Sequence, residues 1–589
     1  MERHHKTESG IMVKEIEETN MEKIRVYCKN TAKFYEIKPG TPLISLMEEI
    51  GINALAAHVD NQLKELGHKL YMDHSIEFLD YAHSDGRRCY KRSLFFILQK
   101  ALKDLYPNKQ LILDYTLPNG SYGELTENPV TYNPDDSLKI RMETVQELTE
   151  EEISAIKCRM QEIIDADLLI EKKKMSNEEA VALFRANRQF DKANLTESLG
   201  QFFVSVYFLD GYADTFYGPM VHSTGKIRKF NLIKYNKGFC IQFPSYLPPY
   251  NITNVKYQEK LFNVFKENSN WCNIIGAKDI ATVNKAIIKG YSNQIIQIAE
   301  ALHERKYAAI ADQIYKRKDQ VKLVLLAGPS SSGKTTTSMR IALHLKVLGL
   351  NPVVLAMDNY FVDREQTPKD ENGEYDFECV EAMDLELLNT QLNQLMDGEE
   401  VDLPVFNFAE GKKYFSGKKT SMKPNDILIM EGIHALNPTL TAAIDNKRKF
   451  KIYASALTSL SIDENNSIST TDNRMLRRMV RDNSFRGTSA EQTILRWASV
   501  HKGEYKNIFP YQENADAMFN SSLIYELPLL KHYAEPLLRR IQPTSPAYAE
   551  SLRLLKFLSY IVEMTPAEHA AVPPTSVMRE FIGGSSLKY

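Results

Sequence analysis

Residues Gly328-Pro329-Ser330-Ser331-Ser332-Gly333-Lys334-Thr335 constrain the fold more than any other stretch, because a loop of this kind functions only between a buried strand and a helix. Together with Thr336, these small residues let successive backbone N–H groups curl around phosphates at the positive end of the helix that follows. Lys334 adds a point charge for the outer phosphates, and Thr335 offers a hydroxyl to Mg2+. The flanks agree. Val321 to Leu326 is apolar enough for a strand buried on both faces, Ile341, Leu345 and Leu348 recur at helical spacing, and Gly349 supplies a helix stop. A nucleoside triphosphate, ATP with Mg2+, is the expected ligand.

A chain of 589 residues is too long for one core, so several domains are expected. Its net charge of −3 gives no bulk attraction to nucleic acid or to an anionic membrane, so any RNA contact must be local. Six scattered cysteines form no CxxC pair and no metal-ligand spacing, which reads as free thiols in a reducing cytoplasm. No apolar run reaches the length of a membrane span, and residues 1–21 read as a polar, disordered leader. The expectation is a cytoplasmic protein, with self-association left open.

Two further strands carry acids at their carboxyl ends. Val353 to Met357 runs into Asp358-Asn359-Tyr360, and Ile427 to Met430 runs into Glu431-Gly432. In an open parallel sheet ligands bind beyond the carboxyl ends of the strands, so Lys334, Asp358 and Glu431 converge despite their separation. Phosphoryl transfer needs Mg2+ near the outer phosphates and a carboxylate for the acceptor hydroxyl's proton; Glu431 suits the first task and Asp358 the second. Further on, Arg474, Arg477, Arg478 and Arg481 share a helical segment with Met475, Leu476, Met479 and Val480 on the opposite face, and Arg486 follows. The pattern suits either a solvated basic face or a mobile lid whose guanidinium groups, chiefly Arg478, Arg481 and Arg486, stabilise the transferring phosphoryl.

With these pieces in order, residues from about 320 to 530 resemble the uridine kinase and phosphoribulokinase family of P-loop kinases. The matching pieces are the nucleotide loop, Met357 to Tyr360, Asp376 through Asp384, Glu431 to Ile433, Arg478 to Asp482 with Arg486-Gly487, and Pro510 to Asp516. The resemblance implies that Asp358 is the base for a nucleoside 5′-hydroxyl and that Asp358, Tyr360, Glu378 and Phe406 meet the acceptor. The acceptor segment departs from the family. Where uridine kinases carry Pro-x-Tyr-Asp-Phe-x-x-His-x-Arg, this chain has Phe406, Gly411 and Lys413 for the tyrosine, histidine and arginine, and Thr488 replaces an arginine. Losing such hydrogen-bond partners weakens discrimination by roughly a thousandfold or more, so uridine does not carry over intact as the substrate. Two other readings stay open: a kinase for a sugar phosphate or a pantothenate-like alcohol, and a nucleotide-sensing, RNA-binding regulator with a degenerate acceptor site.

Towards the amino end, residues 22–82 alternate apolar and polar positions around a helix at Ser45 to Ile50, as a β-grasp module does. Lys38 to Leu43 and Ala57 to Leu63 resemble the ubiquitin-like TGS domain of threonyl-tRNA synthetases. Ser93 to Pro107, Asn119 to Tyr122, Ile170 to Ser176 and Tyr217 through Phe230 resemble that enzyme's editing domain. The four polar positions on which editing depends are here Arg92, Phe96, Phe216 and Met220, which implies that hydrolytic editing is lost. What remains reads as a scaffold open to RNA, a nucleoside, an amino acid or another copy of itself as partner. The whole chain therefore reads as an α/β multidomain protein: a P-loop kinase domain with a parallel sheet at 320–530, preceded by a β-grasp domain at 22–82 and an α+β editing-like domain at 83–250. Residues 251–319 read as a helical connector. Residues 531–589 read as a helical cap with an exposed terminus and no chemistry.

Overall fold

The computed structural model describes residues 23–117, 120–127, 145–255, 257–369, 373, 375–377, 379–407, 410–458 and 460–587. The expected leader and Glu378 lie outside these residues. The described chain divides into two units, one made of residues up to Tyr90 with Pro219–His222, the other of Lys91–Gly218 with Ser223 onward.

The first unit is a five-stranded mixed sheet in the order Lys33–Ile37, Ile24–Cys28, His74–Leu79, Ala56–Val59, Gln62–Lys64. The two central strands, Ile24–Cys28 and His74–Leu79, run parallel and the other pairs antiparallel, which is the β-grasp arrangement. Alternation along Ile24–Cys28 sends Ile24, Val26 and Cys28 inward, where Leu43, Leu46 and Met47 of the helix Leu43–Ile50 cover them. In this unit His58, His83 and Asp85 bring donor atoms near one another, as a metal site does. They are already engaged: the Asp85 carboxylate takes His58 Nε2 at 2.9 Å and Arg88 Nη2 at 2.6 Å, and the Asp85 backbone N–H donates to His83 Nδ1 at 3.1 Å. The trio caps and anchors the start of the helix Ser84–Leu105.

In the second unit an antiparallel sheet joins Lys109–Leu117, Gly120–Glu127, Gly238–Gln242 and Asn231–Tyr235. A three-stranded sheet follows, with Phe203–Leu209 between Glu171–Ser176 and Tyr212–Asp214. At the positions that correspond to editing residues, aromatic rings pack on each other: Phe96 lies 5.4 Å from Phe216 and 5.8 Å from Tyr212, and Tyr207 lies 6.0 Å from Phe216. Arg92 is buried beside Gly218, with its guanidinium 5.9 Å from the Tyr217 ring.

The remainder of this unit is built on a parallel sheet in the order Asn351–Ala356, Asp426–Glu431, Leu323–Ala327, Lys449–Ser455, Ala517–Asn520. Leu323, Leu325 and Ala327 face one apolar layer and Val324 and Leu326 the other, so the strand feeding the nucleotide loop is buried on both sides. The second layer contains Ile341 and Leu345 of the helix Lys334–Val347, and Tyr307, Ile310 and Ile314 of the connector helix Ser292–Tyr315. Gly349, at φ +83°, terminates the loop helix, and the N–H of Leu350 returns to Leu345 O at 3.0 Å.

One sequence expectation is corrected by the structure. The helix Thr470–Arg486 does not set its arginines against an apolar face: Arg474 and Arg477 are as buried as Met475, Leu476 and Met479. Each finds a buried carboxylate, Arg474 Nη2 meeting Glu504 at 2.7 Å and Arg477 Nε meeting Glu526 at 2.9 Å. Pairing is what makes such burial tolerable, and it makes the helix a fixed wall at these two positions. In the C-terminal cap, Val577, Met578 and Phe581 are fully enclosed in the core that includes Met475, Leu476 and Leu530, while Gly584 and Ser586 beyond them are exposed.

Candidate active site

The site begins where the central strand Leu323–Ala327 ends. At Gly328 the chain passes so close to the neighbouring strand that a Cβ would fall 2.0 Å from Ala454 O, which only glycine avoids. Ser331 (φ +58°) and Gly333 (φ +75°) then turn the chain through left-handed conformations into the helix starting at Lys334. Gly333 has no side chain to cap that helix, so its first N–H groups face the loop. The Ser331 and Ser332 hydroxyls are buried with no protein partner among the described residues. A concave backbone, a helix N-terminus and orphaned hydroxyls fit a polyphosphate. Lys334 Nζ rests on Pro329 O at 3.1 Å, and Ser330 N–H donates to Glu504 at 3.1 Å.

Sheet register brings in the acids. Glu431 lies directly across from Leu326 on one side and Ala356 on the other. Two residues past Ala356, Asp358 sits in the short turn Met357–Tyr360. Thr335 Oγ1 donates to Glu431 Oε1 at 3.0 Å, a pair of hard oxygens suited to Mg2+. Burial pushes the Glu431 carboxyl up to about 7 against the pull of Lys334, with Asp358 adding repulsion. Asp358 is an exposed residue whose carboxyl is nonetheless surrounded by protein, and this desolvation raises it while Lys334 and Arg486 oppose the rise.

Of the expected phosphoryl-facing arginines, Arg478 reaches the loop, donating to Ser330 Oγ at 3.0 Å and to Asp482 at 3.1 Å. Arg481 pairs with Asp482 at 2.9 Å. Arg486 is exposed at the helix end, within electrostatic reach of Asp358 and 3.5 Å from Asp482.

The acceptor side is only partly as expected. Tyr360, in the same turn as Asp358, is buried with its hydroxyl on Gln391 at 2.9 Å, which makes it a support for the turn and not a surface for substrate. Phe406 is nearly buried; its N–H donates to Asn359 at 3.2 Å, and its ring lies 5.7 Å from Phe361. Phe361 in turn meets Phe377 edge-on at 6.3 Å, and Phe377 and Tyr375 remain partly exposed. Gly411, at φ +70°, packs against Arg364, while Lys413 is ion-paired to Asp384.

Three contributors carried no local sequence signal. Glu504 contacts the loop from 174 residues away and Glu580 from 244, and Ser521 Oγ donates to Ser332 O at 2.6 Å. None belongs to a recognisable spacing pattern.

Residues 323–524 match the family model described as Phosphoribulokinase / Uridine kinase family. A uridine kinase of Staphylococcus haemolyticus is 32% identical over 196 residues, covering 33% of this chain and 84% of that protein. A threonine–tRNA ligase of Methylococcus capsulatus is 29% identical over 199 residues, 33% of this chain, and the match spans only 28% of the ligase. A solved D-glycerate 3-kinase of Cryptococcus neoformans overlaps 36% of this chain and 89% of its own, at 13% identity and a TM-score of 0.27.

Proposed function

Since the chain belongs to the phosphoribulokinase and uridine kinase family, we propose that it transfers the γ-phosphoryl of ATP to the hydroxyl of a nucleoside-like small molecule. The observation that carries this reading is the meeting of Lys334, Thr335, Asp358 and Glu431 at the carboxyl edge of one parallel sheet. The acceptor oxygen bonds to the γ-phosphorus as the bond to the β-phosphate oxygen breaks, its proton passes to Asp358, and ADP leaves. Lys334, Arg478, Arg481 and Arg486 offset the charge on the transferring group. Thr335 and Glu431 would hold Mg2+, which neutralises charge between the outer phosphates.

A nucleoside-like acceptor is supported by Phe377 and Tyr375, partly exposed rings on which a planar base can stack, backed by the buried Phe361, which follows the Met357–Tyr360 turn that carries Asp358. The test is Mg2+- and ATP-dependent ADP formation across nucleosides, sugar phosphates and pantothenate-like alcohols. Turnover dependent on a nucleoside supports the reading, turnover on another alcohol moves the acceptor class, and ATP binding without turnover on any acceptor overturns it.

A second reading, an RNA-binding reporter of nucleotide state, draws on the ligase likeness and on one exposed strand. Lys172, Lys173 and Lys174 stand in succession there, each ammonium over a ring of the neighbouring strand: Tyr207, Phe208 and Phe203 at 5.4, 4.8 and 4.3 Å. tRNA binding by the full chain that exceeds random RNA at matched salt is its test.

A further inference from the structure

The C-terminal segment places an acid on the nucleotide loop. Glu580 Oε2 accepts from the Thr336 backbone N–H at 3.2 Å and from the Thr336 hydroxyl at 2.7 Å. Thr336 is the third residue of the loop helix, so this N–H is among those a helix leaves without an internal partner, at its positive end. A carboxylate there offers the charge and acceptor oxygens that a phosphate would offer.

Glu580 is not a stray tip. A Cβ at Gly333 would fall 2.3 Å from Val577 Cγ2, so the segment lies directly on the loop's glycine. Ser576, Val577, Met578 and Phe581 are fully enclosed. The Arg477 guanidinium lies 5.1 Å from the centre of the Phe581 ring, the Ser576 hydroxyl is 3.2 Å from that of Tyr525, and Arg579 binds the carbonyls of Val572 and His569 at 2.6 and 3.1 Å. The segment is thus seated on the same helix, Thr470–Arg486, that faces the loop with Arg478.

We propose that residues 576–582 are an internal occupant of the nucleotide site, in which Glu580 holds the Thr336 donors until the nucleotide's phosphates displace it. The inference rests on reading the loop as a nucleotide site. A phosphate and the Glu580 carboxylate carry the same sign and need the same two donors, so they cannot share them. The segment therefore lowers apparent nucleotide affinity and links the C-terminal cap to nucleotide state.

The test is ATP binding to the full-length protein, measured by titration calorimetry, for the unsubstituted chain and Glu580→Gln, which keeps the side chain's shape and removes its charge. Binding about tenfold tighter in Glu580→Gln is expected, the scale of one charge-assisted contact at a helix N-terminus. Hydrogen exchange of residues 576–582 should also rise when ATP is added to the unsubstituted chain. Equal or weaker binding in Glu580→Gln, or slower exchange of the segment with ATP, overturns the proposal while leaving the kinase reading intact. No ATP binding by either form overturns both. If Glu580→Gln fails to fold, Val577→Ala, which loosens the seat on Gly333 without altering charge, should tighten ATP binding in the same way, and unchanged affinity there overturns the proposal.

Discussion

Asp358 combines two properties a proton acceptor needs: an exposed position at the sheet's carboxyl edge, and protein around it that raises its basicity. Asp358→Asn keeps the side chain's shape and removes that basicity. Turnover should fall by roughly a hundredfold to ten-thousandfold with ATP binding retained, as ADP formation and a nucleotide titration will report. A variant that turns over normally removes Asp358 from its role. Lys334, Asp358 and Glu431 were legible in the sequence because each closes or follows an apolar strand that can be recognised alone, and sheet topology does the rest. Tyr360 was not: its place under the turn depends on Gln391, a residue on the helix Leu385–Met396 that no local pattern pairs with it. Glu504 and Glu580 were invisible for the same reason, since they reach the loop only through packing of distant elements.

At the scale of one element, the helix Thr470–Arg486 divides its arginines by partner. Helical periodicity separates Arg474 and Arg477 from the apolar residues by angle, yet angle alone says nothing of Glu504 and Glu526 waiting on other elements. Arg477→Ala strands the buried Glu526 carboxylate and should cost about 3–5 kcal/mol of stability, read by urea unfolding. Arg486 is exposed and lies within reach of Asp358, so Arg486→Ala should leave unfolding within about 0.5 kcal/mol of the unsubstituted chain and lower kcat instead. If Arg486→Ala lowers stability and spares kcat, Arg486 is a structural residue and phosphoryl stabilisation falls to Arg478 and Arg481. The same division shows why a basic stripe in sequence reads equally as a lid or a wall: the carboxylates that decide between them lie 30 and 49 residues away.

Across the second unit, the kinase-like sheet and the synthetase-like α+β region are joined by a buried ionic knot that neither region's motifs foreshadow. Lys192 meets Asp214 at 2.7 Å and Asp463 at 3.1 Å, with all three side chains buried. Asp463 belongs to the hairpin Ser461–Asp463 and Asn466–Ser467, and Asp191 accepts the Glu464 N–H at 2.9 Å. One lysine thus faces several carboxylates without water. Burial, with Glu464 and Asp463 adding repulsion, pushes the Asp191 carboxyl up to about 7; burial also carries Asp214 to about 7, although Lys192 pulls it down. Lys192 itself is held well above its ordinary range, so it stays charged in folded and unfolded chains throughout the neutral region. Between pH 6 and 8 the unfolded carboxylates are already ionised, whereas the folded cluster still gives up a proton. The folded state therefore loses relative stability as pH rises, by up to about 1.4 kcal/mol per pH unit for each proton released. Asp191→Asn removes one of these titrations while keeping an oxygen for the Glu464 N–H. Calorimetric Tm should fall from pH 6 to pH 8 in the unsubstituted chain and fall less in Asp191→Asn; equal slopes in the two would mean that Asp191 holds no proton at neutral pH.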